Sequence, residues 1–575
     1  VSFRSDHGIL RLTRRLRGPA GVLSLLLIGA LAGAGRPAGA AATDRRLVLF
    51  YTAEVHGTVE PCGCTSDPLG DISRLASVMA DARRSGASVG LVDAGGLMYP
   101  EGSLSAKERP SADLRAAFLA KEMEQLGLIG AGVAETDLAP GAEPAQAQAR
   151  LQPKRLASNI TGAGAAVRAP VLQKLGAVTV GVLGVADPAV AQELGGKATD
   201  MTAAVQRDAD ELRKRGAELI VLLAPVDKNS ARKLARDTSP DIVVLGKRVG
   251  KGMARAERVG RALLVASADE LQRVGRLEIV LRGPATPGAR VELADAGGPD
   301  AIKLRRDELA RDIARLEANL KSWTAAGGAS GSAAGTDASF VAAKKRELAD
   351  LQAEQARLNA PWAPPPTGSY VVDTLIPLRR SLRRDPTVAS AMKSLDKAIA
   401  ASNLKQATPP PPAEPGRASY VGIAKCAGCH KSAVTFWNHT VHAQAWKTLV
   451  DGGKQADYKC VGCHVTGFGQ VGGSTLGFTK KLESVQCEVC HGPGSLHVLG
   501  EGNEEPLAIK RAPPETVCLG CHTEQHSDTF AYVPYLRDIV GPGHGAKQRE
   551  QLGPGKTGHE LRSAALAQAK LAAKP

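Results

Sequence analysis

Apolar and polar positions divide the chain into stretches of different period. Between residues 43 and 290, short apolar runs alternate with amphipathic segments. Leu47-Val48-Leu49-Phe50-Tyr51 is an unbroken apolar run of strand length, and Ser73 to Arg84 has helical periodicity. Gly90-Leu91-Val92 reads as a strand and Ala116 to Leu126 as a helix. Further strand-like runs are Val178 to Val182, Leu219 to Leu223, Ile242 to Leu245, Leu263 to Ala266 and Leu277 to Leu281. Strands alternating with helices predict a layered α/β domain over 43–290.

The period then changes. Leu309, Ile313, Leu316, Leu320 and Trp323 fall at four- and three-residue spacing, and Leu348, Leu351 and Leu358 continue the pattern after a Gly/Ser/Ala turn at 327–335. This predicts an antiparallel helical hairpin within a connector spanning 291–404. Its readings are a spacer packed on its own domain, a docking arm or a dimerisation arm. Tyr370 to Ile376 reads as another strand, with a helix after Pro386. Pro409 to Pro412 and Pro415 stiffen a linker over 405–418. A further domain is expected over 419–545, then an Ala/Lys-rich tail over 546–575, helical or disordered.

Length and composition agree with several folded segments. The chain has 575 residues, 43% of them hydrophobic but only 3% aromatic, so its cores depend on Ala, Leu and Val. The formal charge of +15 does not point to nucleic acid, because no basic cluster is interleaved with aromatics. The first 42 residues resemble an export signal: Arg11, Arg14, Arg15 and Arg17 precede the short apolar run Gly21 to Leu31, and Ala38-Gly39-Ala40 offers small residues for cleavage. The apolar run is too short to span a bilayer and no later stretch approaches one. A periplasmic or extracellular mature protein is the expectation.

The chemistry concentrates near the C-terminus. Cys-x-x-Cys-His occurs four times, at Cys426, Cys429 and His430; Cys460, Cys463 and His464; Cys487, Cys490 and His491; and Cys518, Cys521 and His522. Each reads as a c-type haem attachment site, in which two thiols add to the haem vinyl groups and the following His ligates the iron. Paired zinc sites need no His after each thiol pair, and here it follows all four. Four covalent c-type haems are expected. From Arg417 onward, 17 Lys/Arg face 13 Asp/Glu, and haem propionates would reverse that sign. Candidate sixth ligands are His439, His442, His497, His526 and His544. A bis-His iron suits electron transfer, and an iron lacking its second His can bind a small molecule.

The run Tyr420-Val421-Gly422, the first motif, Trp437, Thr440, His442 and Ala443 resembles the tetrahaem cytochrome c family of nitrifiers, whose type member accepts electrons from hydroxylamine oxidoreductase. So do Cys463-His464-Val465-Thr466-Gly467-Phe468-Gly469 and Val485-Gln486-Cys487 through Gly494, with His497. The resemblance covers about 125 residues (419–545) and implies a mainly helical domain with three bis-His haems and one five-coordinate haem. By position His442, His497 and His544 match the distal ligands, which leaves the haem of Cys460, Cys463 and His464 open. His439 and His526 are the alternatives, either as ligands or as surface or propionate-binding residues.

Leu49 through Gly57 with Glu60-Pro61, Gly70 through Leu75, Leu91 through Leu97, Ser158-Asn159-Ile160 and Gly181 through Val185 resemble the 5′-nucleotidase branch of the metallophosphatases. The resemblance implies a layered α/β sandwich over about 47–280. That chemistry needs two divalent metals held by Asp, His and Asn. Here Glu54 stands where Asp is expected, His56 is kept, and Gly96 stands at the bridging Asp. Gly132-Val133-Ala134-Glu135, Leu222 to Pro225 and Gly246 to Val249 lack the remaining ligands. No dinuclear metal is expected. Cys62 and Cys64, the remaining cysteines, form Cys-Gly-Cys, which resembles a group of exported nucleotidase-like proteins with Cys-Gly-Cys or a selenocysteine variant there and implies redox or thiol chemistry. Its disulfide would close a strained, reducible ring. Alternatives are a structural thiol pair or a soft-metal site of Cys62, Cys64 and His56.

The combined expectation is an exported electron-transfer cytochrome serving redox partner proteins, with a thiol-bearing nucleotidase-like domain. A periplasmic phosphoesterase fused to a cytochrome and a haem oxidoreductase acting on a small nitrogen compound are the rival readings.

Overall fold

The computed structural model describes residues 44–61, 63–101, 104–138, 155–247, 249–326, 338–359, 363–502, 508–523 and 525–572. The export signal at 1–42, the hairpin turn at 327–335 and Cys62 lie outside the described residues.

The first part opens with β1 (Arg45–Thr52), α1 (Ile72–Arg84), β2 (Val89–Asp93), α2 (Arg109–Gln125) and β3 (Leu128–Ala131). A short ribbon, β4 (Ile160–Thr161) with β7 (Lys197–Ala198), flanks β5 (Val171–Leu175), β6 (Val178–Gly184) and α3 (Pro188–Glu193). Then come α4 (Met201–Lys214), β8 (Leu219–Ala224), α5 (Lys228–Asp237), β9 (Ile242–Leu245), β10 (Glu257–Val259), β11 (Ala262–Val265), β12 (Arg273–Leu281) and β13 (Leu293–Asp295). The hairpin helices α6 (Pro299–Ala326) and α7 (Ala338–Arg357) precede β14 (Ser369–Pro377) and α8 (Pro386–Lys405).

Two six-stranded sheets form, in the orders β13-β14-β12-β1-β2-β3 and β10-β11-β9-β8-β6-β5. Alternation along β1 explains how they stack. Leu47, Leu49 and Tyr51 enter the core between the sheets, where they meet Val180, Val221 and Val244. Val48 and Phe50 point the other way, against Ile72 and Met79 of α1 and Leu119 and Met123 of α2. The second sheet is covered outside by Val205 and Leu212 of α4 and Leu234 of α5. The result is a helix–sheet–sheet–helix sandwich.

The α/β domain does not end at 290. β14 lies between β13 and β12, with Leu277 opposite Asp373, and Val388, Met392, Leu395 and Ile399 of α8 join the helix-side core. The connector expected over 291–404 is therefore largely part of the sandwich, with the hairpin inserted into it. Local pattern shows that 369–377 is a strand but not which strand it pairs with. One constraint locks the register. Tyr51 lies flat across Gly275, where a Cβ would stand 1.9 Å from its ring, and its hydroxyl donates to Asp373 Oδ1 at 2.9 Å.

In the hairpin Leu309, Ile313, Leu316 and Leu320 are buried, and Arg305 bridges α6 to Glu354 of α7 at 2.8 Å. These four positions of the stripe are covered within the chain, and Leu348, Leu351 and Leu358 are half-buried. Among the described residues no helix is long and apolar enough to cross a membrane.

Beyond the linker, regular structure is reduced to short helices: α9 (Ile423–Cys426), α10 (Lys431–Trp437), α11 (Ala445–Gly452), α12 (Tyr458–Val461), α13 (Cys487–His491), α14 (Ser495–Leu499), α15 (Glu515–Leu519) and α16 (Tyr532–Ile539). The tail forms α17 (Ala546–Gln551) and α18 (Gly558–Ala572), tied back by Arg537, which donates to Lys556 O at 2.8 Å.

Candidate haem-binding site

Each Cys-x-x-Cys-His sits on or beside one helical turn. In the third motif the whole Cys487–His491 run is helical, so its two thiols share a face one turn apart. Asp457 caps α12, accepting from Lys459 N at 3.0 Å, and so fixes the turn that carries Cys460.

Three of the motif imidazoles have Nδ1 already engaged. His464 Nδ1 donates to Ala445 O at 2.6 Å and His491 Nδ1 to Lys510 O at 2.7 Å, and His522 Nδ1 lies 2.9 Å from Ser527 Oγ, a hydroxyl able to accept from it. A fixed Nδ1–H leaves Nε2 as the metal-binding nitrogen.

The rings of His430 and His497 face each other with centres 6.1 Å apart, those of His442 and His522 6.2 Å, and those of His491 and His544 6.5 Å. Two imidazoles on opposite sides of one metal, each with a bond of about 2.0 Å and a ring centre about 1.1 Å further out, stand about 6.2 Å apart. Among the described residues no imidazole faces His464. His439 and His526 face no motif His either, and His526 Nδ1 is engaged with Thr523 Oγ1 at 2.8 Å.

The surroundings fit a haem. Burial lowers the His442 pKa to about 4 and lowers those of His522 and His544, which keeps these rings in the neutral, ligating form. The Nδ1 atoms of His497 and His544 are buried without a hydrogen-bond partner, a costly state that a metal relieves. Val441 and Leu499, 73% and 80% exposed, adjoin or nearly adjoin His442 and His497, and Leu519 lies inside the fourth motif. Apolar side chains so placed suit a porphyrin face.

Side chains of the two domains meet around the second and fourth motifs. Arg115 of α2 donates to Asp457 at 2.5 Å. Lys454 reaches both Glu60, at 2.5 Å, and Asp396, at 2.6 Å. Burial raises the Glu60 pKa, but Lys454 and Arg384 outweigh it and hold the carboxyl below its usual value. Ser66 N donates to Asp528 Oδ1 at 3.0 Å, and Arg562 of α18 donates to Cys64 O at 2.6 Å. The Cys-Gly-Cys loop is therefore held at both ends by the C-terminal part of the chain. No local sequence signal marks these contacts.

Where the nucleotidase resemblance would place metal ligands, Glu54 and His56 take left-handed backbone, with φ 52° and 53°. A Cβ on Gly96 would come within 2.7 Å of Glu54 Oε1, so the longer carboxylate occupies the space above that glycine. His56 Nε2 lies 3.2 Å from Glu54 Oε2. Burial lowers the His56 pKa, but Glu54 more than compensates and raises it. Asp93 is fully buried and its pKa is raised, by burial first and Asp137 second. Among the described residues Glu54, His56 and Glu101 form the one group of three metal-capable side chains, with donor atoms within 4.8 Å of one another. That is a ligand set for one divalent ion. The alternative soft-metal set is incomplete among the described residues, because Cys62 falls outside them.

Residues 425–492 match the family model described as cytochrome c554 and c-prime. The cytochrome c-554 of Nitrosomonas europaea is 41% identical over 115 residues, which cover 17% of this chain and 48% of that protein. The chain thus spans about half the length of this curated relative. Among solved structures, a 5′-nucleotidase precursor from Thermus thermophilus is similar with a TM-score of 0.41 and 14% identity, over 72% of this chain and 68% of that one. The sulfate thiohydrolase SoxB of Thermus thermophilus, in complex with glycerol, has a TM-score of 0.32 and 16% identity, over 40% of this chain and 53% of that one. The C-terminal part of the chain is therefore similar to a cytochrome c family, which implies covalently bound c-type haem, and it follows an α/β sandwich in the same polypeptide.

Proposed function

We propose that this chain is an exported, periplasmic or extracellular, multihaem cytochrome that carries electrons between redox partner proteins. Its eight motif cysteines would hold four haems. The spacing of the imidazoles carries the reading: three pairs stand 6.1, 6.2 and 6.5 Å apart, and among the described residues no imidazole faces His464. This supports His430 with His497, His491 with His544, and His522 with His442 as axial pairs. Haem in such sites supplies a reversible one-electron iron couple. Burial in the chain lowers the pKa of His442, His522 and His544, the Nδ1 contacts of His491 and His522 orient those two rings, and Val441, Leu499 and Leu519 would lie against the porphyrin. Haem content and electron paramagnetic resonance of the purified protein test this. Four haems per chain are expected, three low-spin and one high-spin. Four low-spin haems, or fewer than four haems, would overturn the assignment.

A second reading has a specific observation behind it. Among the described residues no imidazole faces His464, so an iron held there would keep a position for a small nitrogen compound such as nitric oxide. Electron relay remains the favoured function because the other three motif imidazoles each face a partner.

Cys62 and Cys64 complete the proposal as a redox thiol pair. Joining them releases two electrons and two protons, and the electrons reduce two ferric haems. The support is the docking of their loop through Glu60, Cys64 O and Ser66. Replacing both with Ser is expected to alter turnover or potential while leaving the haem spectrum intact. No change in any redox assay would remove this element.

A further inference from the structure

The loop after the Cys-Gly-Cys element touches the fourth motif through a short hydrogen-bonded chain. Ser66 N donates to both Asp528 oxygens, at 3.0 and 3.2 Å, and Ser66 Oγ donates to the same carboxylate. The next residue back, Ser527, is buried, and its hydroxyl oxygen lies 2.9 Å from His522 Nδ1, where it can accept the Nδ1–H that an imidazole ligating through Nε2 carries. The loop is held in place from both sides: Arg562 binds Cys64 O at 2.6 Å, and Arg379 binds the Asp67 carboxylate.

The identity of the group that accepts from a ligating imidazole matters. A hydroxyl is a neutral acceptor. A carboxylate draws the proton harder, makes the imidazole a stronger donor to iron and favours the ferric state. Asp528 is one residue from the acceptor now in use, and its carboxylate is held by three bonds from Ser66. Those bonds come from a residue 462 positions earlier, in the other domain.

We propose that Ser66 of the α/β domain sets the reduction potential of the iron held by His522, by keeping the Asp528 carboxylate away from the His522 imidazole. This rests on the reading of the fourth motif as a haem site with His442 and His522 as axial ligands. The domain contact is then an electronic one. When the loop is docked, Ser527 is the acceptor and the potential is high. When the loop is displaced, Asp528 competes for the Nδ1–H and the potential falls.

The test is spectroelectrochemical titration of the full-length holoprotein, following each haem, in Ser66→Ala, Asp528→Asn and the double variant. The fourth haem is identified beforehand as the one whose low-spin signal is lost in His442→Ala. Ser66→Ala removes the hydroxyl donor and leaves Asp528 only the backbone N–H of residue 66, so it is expected to loosen the carboxylate and lower the midpoint of that haem alone, with a smaller ferrous fraction at a fixed poise. Asp528→Asn is expected to leave it close to the parent value, and the double variant to return there, because no carboxylate remains to compete. A simple loosening of the contact would not be rescued in this way. An unchanged midpoint in Ser66→Ala, a shift shared by all haems, or a double variant that stays low would each overturn the proposal. If the fourth haem is missing or high-spin in the parent protein, the underlying haem assignment fails instead, and haem content and resonance spectra reveal that separately.

Discussion

Arg115 and Asp457, 342 positions apart, form an ion pair across the two domains at 2.5 Å, with both side chains nearly buried. Asp457 has a second duty as the cap of the helix that carries Cys460. One carboxylate thereby joins the α/β domain to the second haem motif and shapes that motif.

Asp457→Ala therefore leaves Arg115 buried without its partner and α12 without its cap. Breaking a buried pair costs about 3–5 kcal/mol, and losing a cap about 1 kcal/mol. Denaturant unfolding followed by far-ultraviolet circular dichroism should show a loss of at least about 3 kcal/mol. A loss near zero would mean that the pair is solvated in solution.

The ring pairs make a selective prediction. His442→Ala, His497→Ala and His544→Ala should each turn one low-spin haem high-spin. His439→Ala and His526→Ala should leave the resonance spectrum unchanged, because neither ring faces a motif His. A spin change in either control would reassign that ligand.

Nitric oxide should bind one haem of the parent protein, the one held by His464. In His442→Ala a second binding site should appear, read as a doubled ferrous-nitrosyl signal.

Asp373 gives a pH dependence with a defined sign. Burial is the main cause that raises its pKa, to about 7, against the ordinary carboxyl value of 3.8. The folded chain thus keeps a proton that the unfolded chain has released between these two values. Stability from this group is greatest below the unfolded value, declines as pH rises towards 7, and levels off above it. Asp373→Asn, which keeps an oxygen for the Tyr51 hydroxyl, should flatten that part of the stability profile by a few kcal/mol. Thermal unfolding between pH 4 and 8 compares the two slopes.

Hydrolysis of a generic phosphate ester should stay at background with added manganese or zinc. Glu54, His56 and Glu101 offer ligands for one ion, whereas the two-metal mechanism needs a clamp on both sides of the phosphate. Metal-dependent turnover above background would restore the hydrolase reading.

What the sequence reveals here depends on range. The alternating burial of Leu47 to Tyr51 and the Cys-x-x-Cys-His spacing are local, and both are legible residue by residue. The partner of β14 is not, because the hairpin inserted after β13 changes the period and imitates a domain boundary near residue 290. Glu54 as the residue filling the space over Gly96 was half legible: the missing Asp at 96 is visible, but the longer reach of Glu54 shows only in three dimensions. Arg115 with Asp457 and Ser66 with Asp528 carry no local signal, since each partner alone is an ordinary charged or polar residue on a helix or loop.

The position of β14 also dictates an order of assembly. β12 is complete at residue 281 and its neighbour β14 only at residue 377, after the whole hairpin. At synthesis rates of about 5–20 residues per second, roughly 5–20 seconds separate the two. For that interval the nascent sheet ends in an unpaired apolar edge, which is open to wrong pairing. Shortening the hairpin would shorten this exposure, and slowing translation across it would lengthen it. The yield of soluble protein should follow that interval even where the finished fold is equally stable.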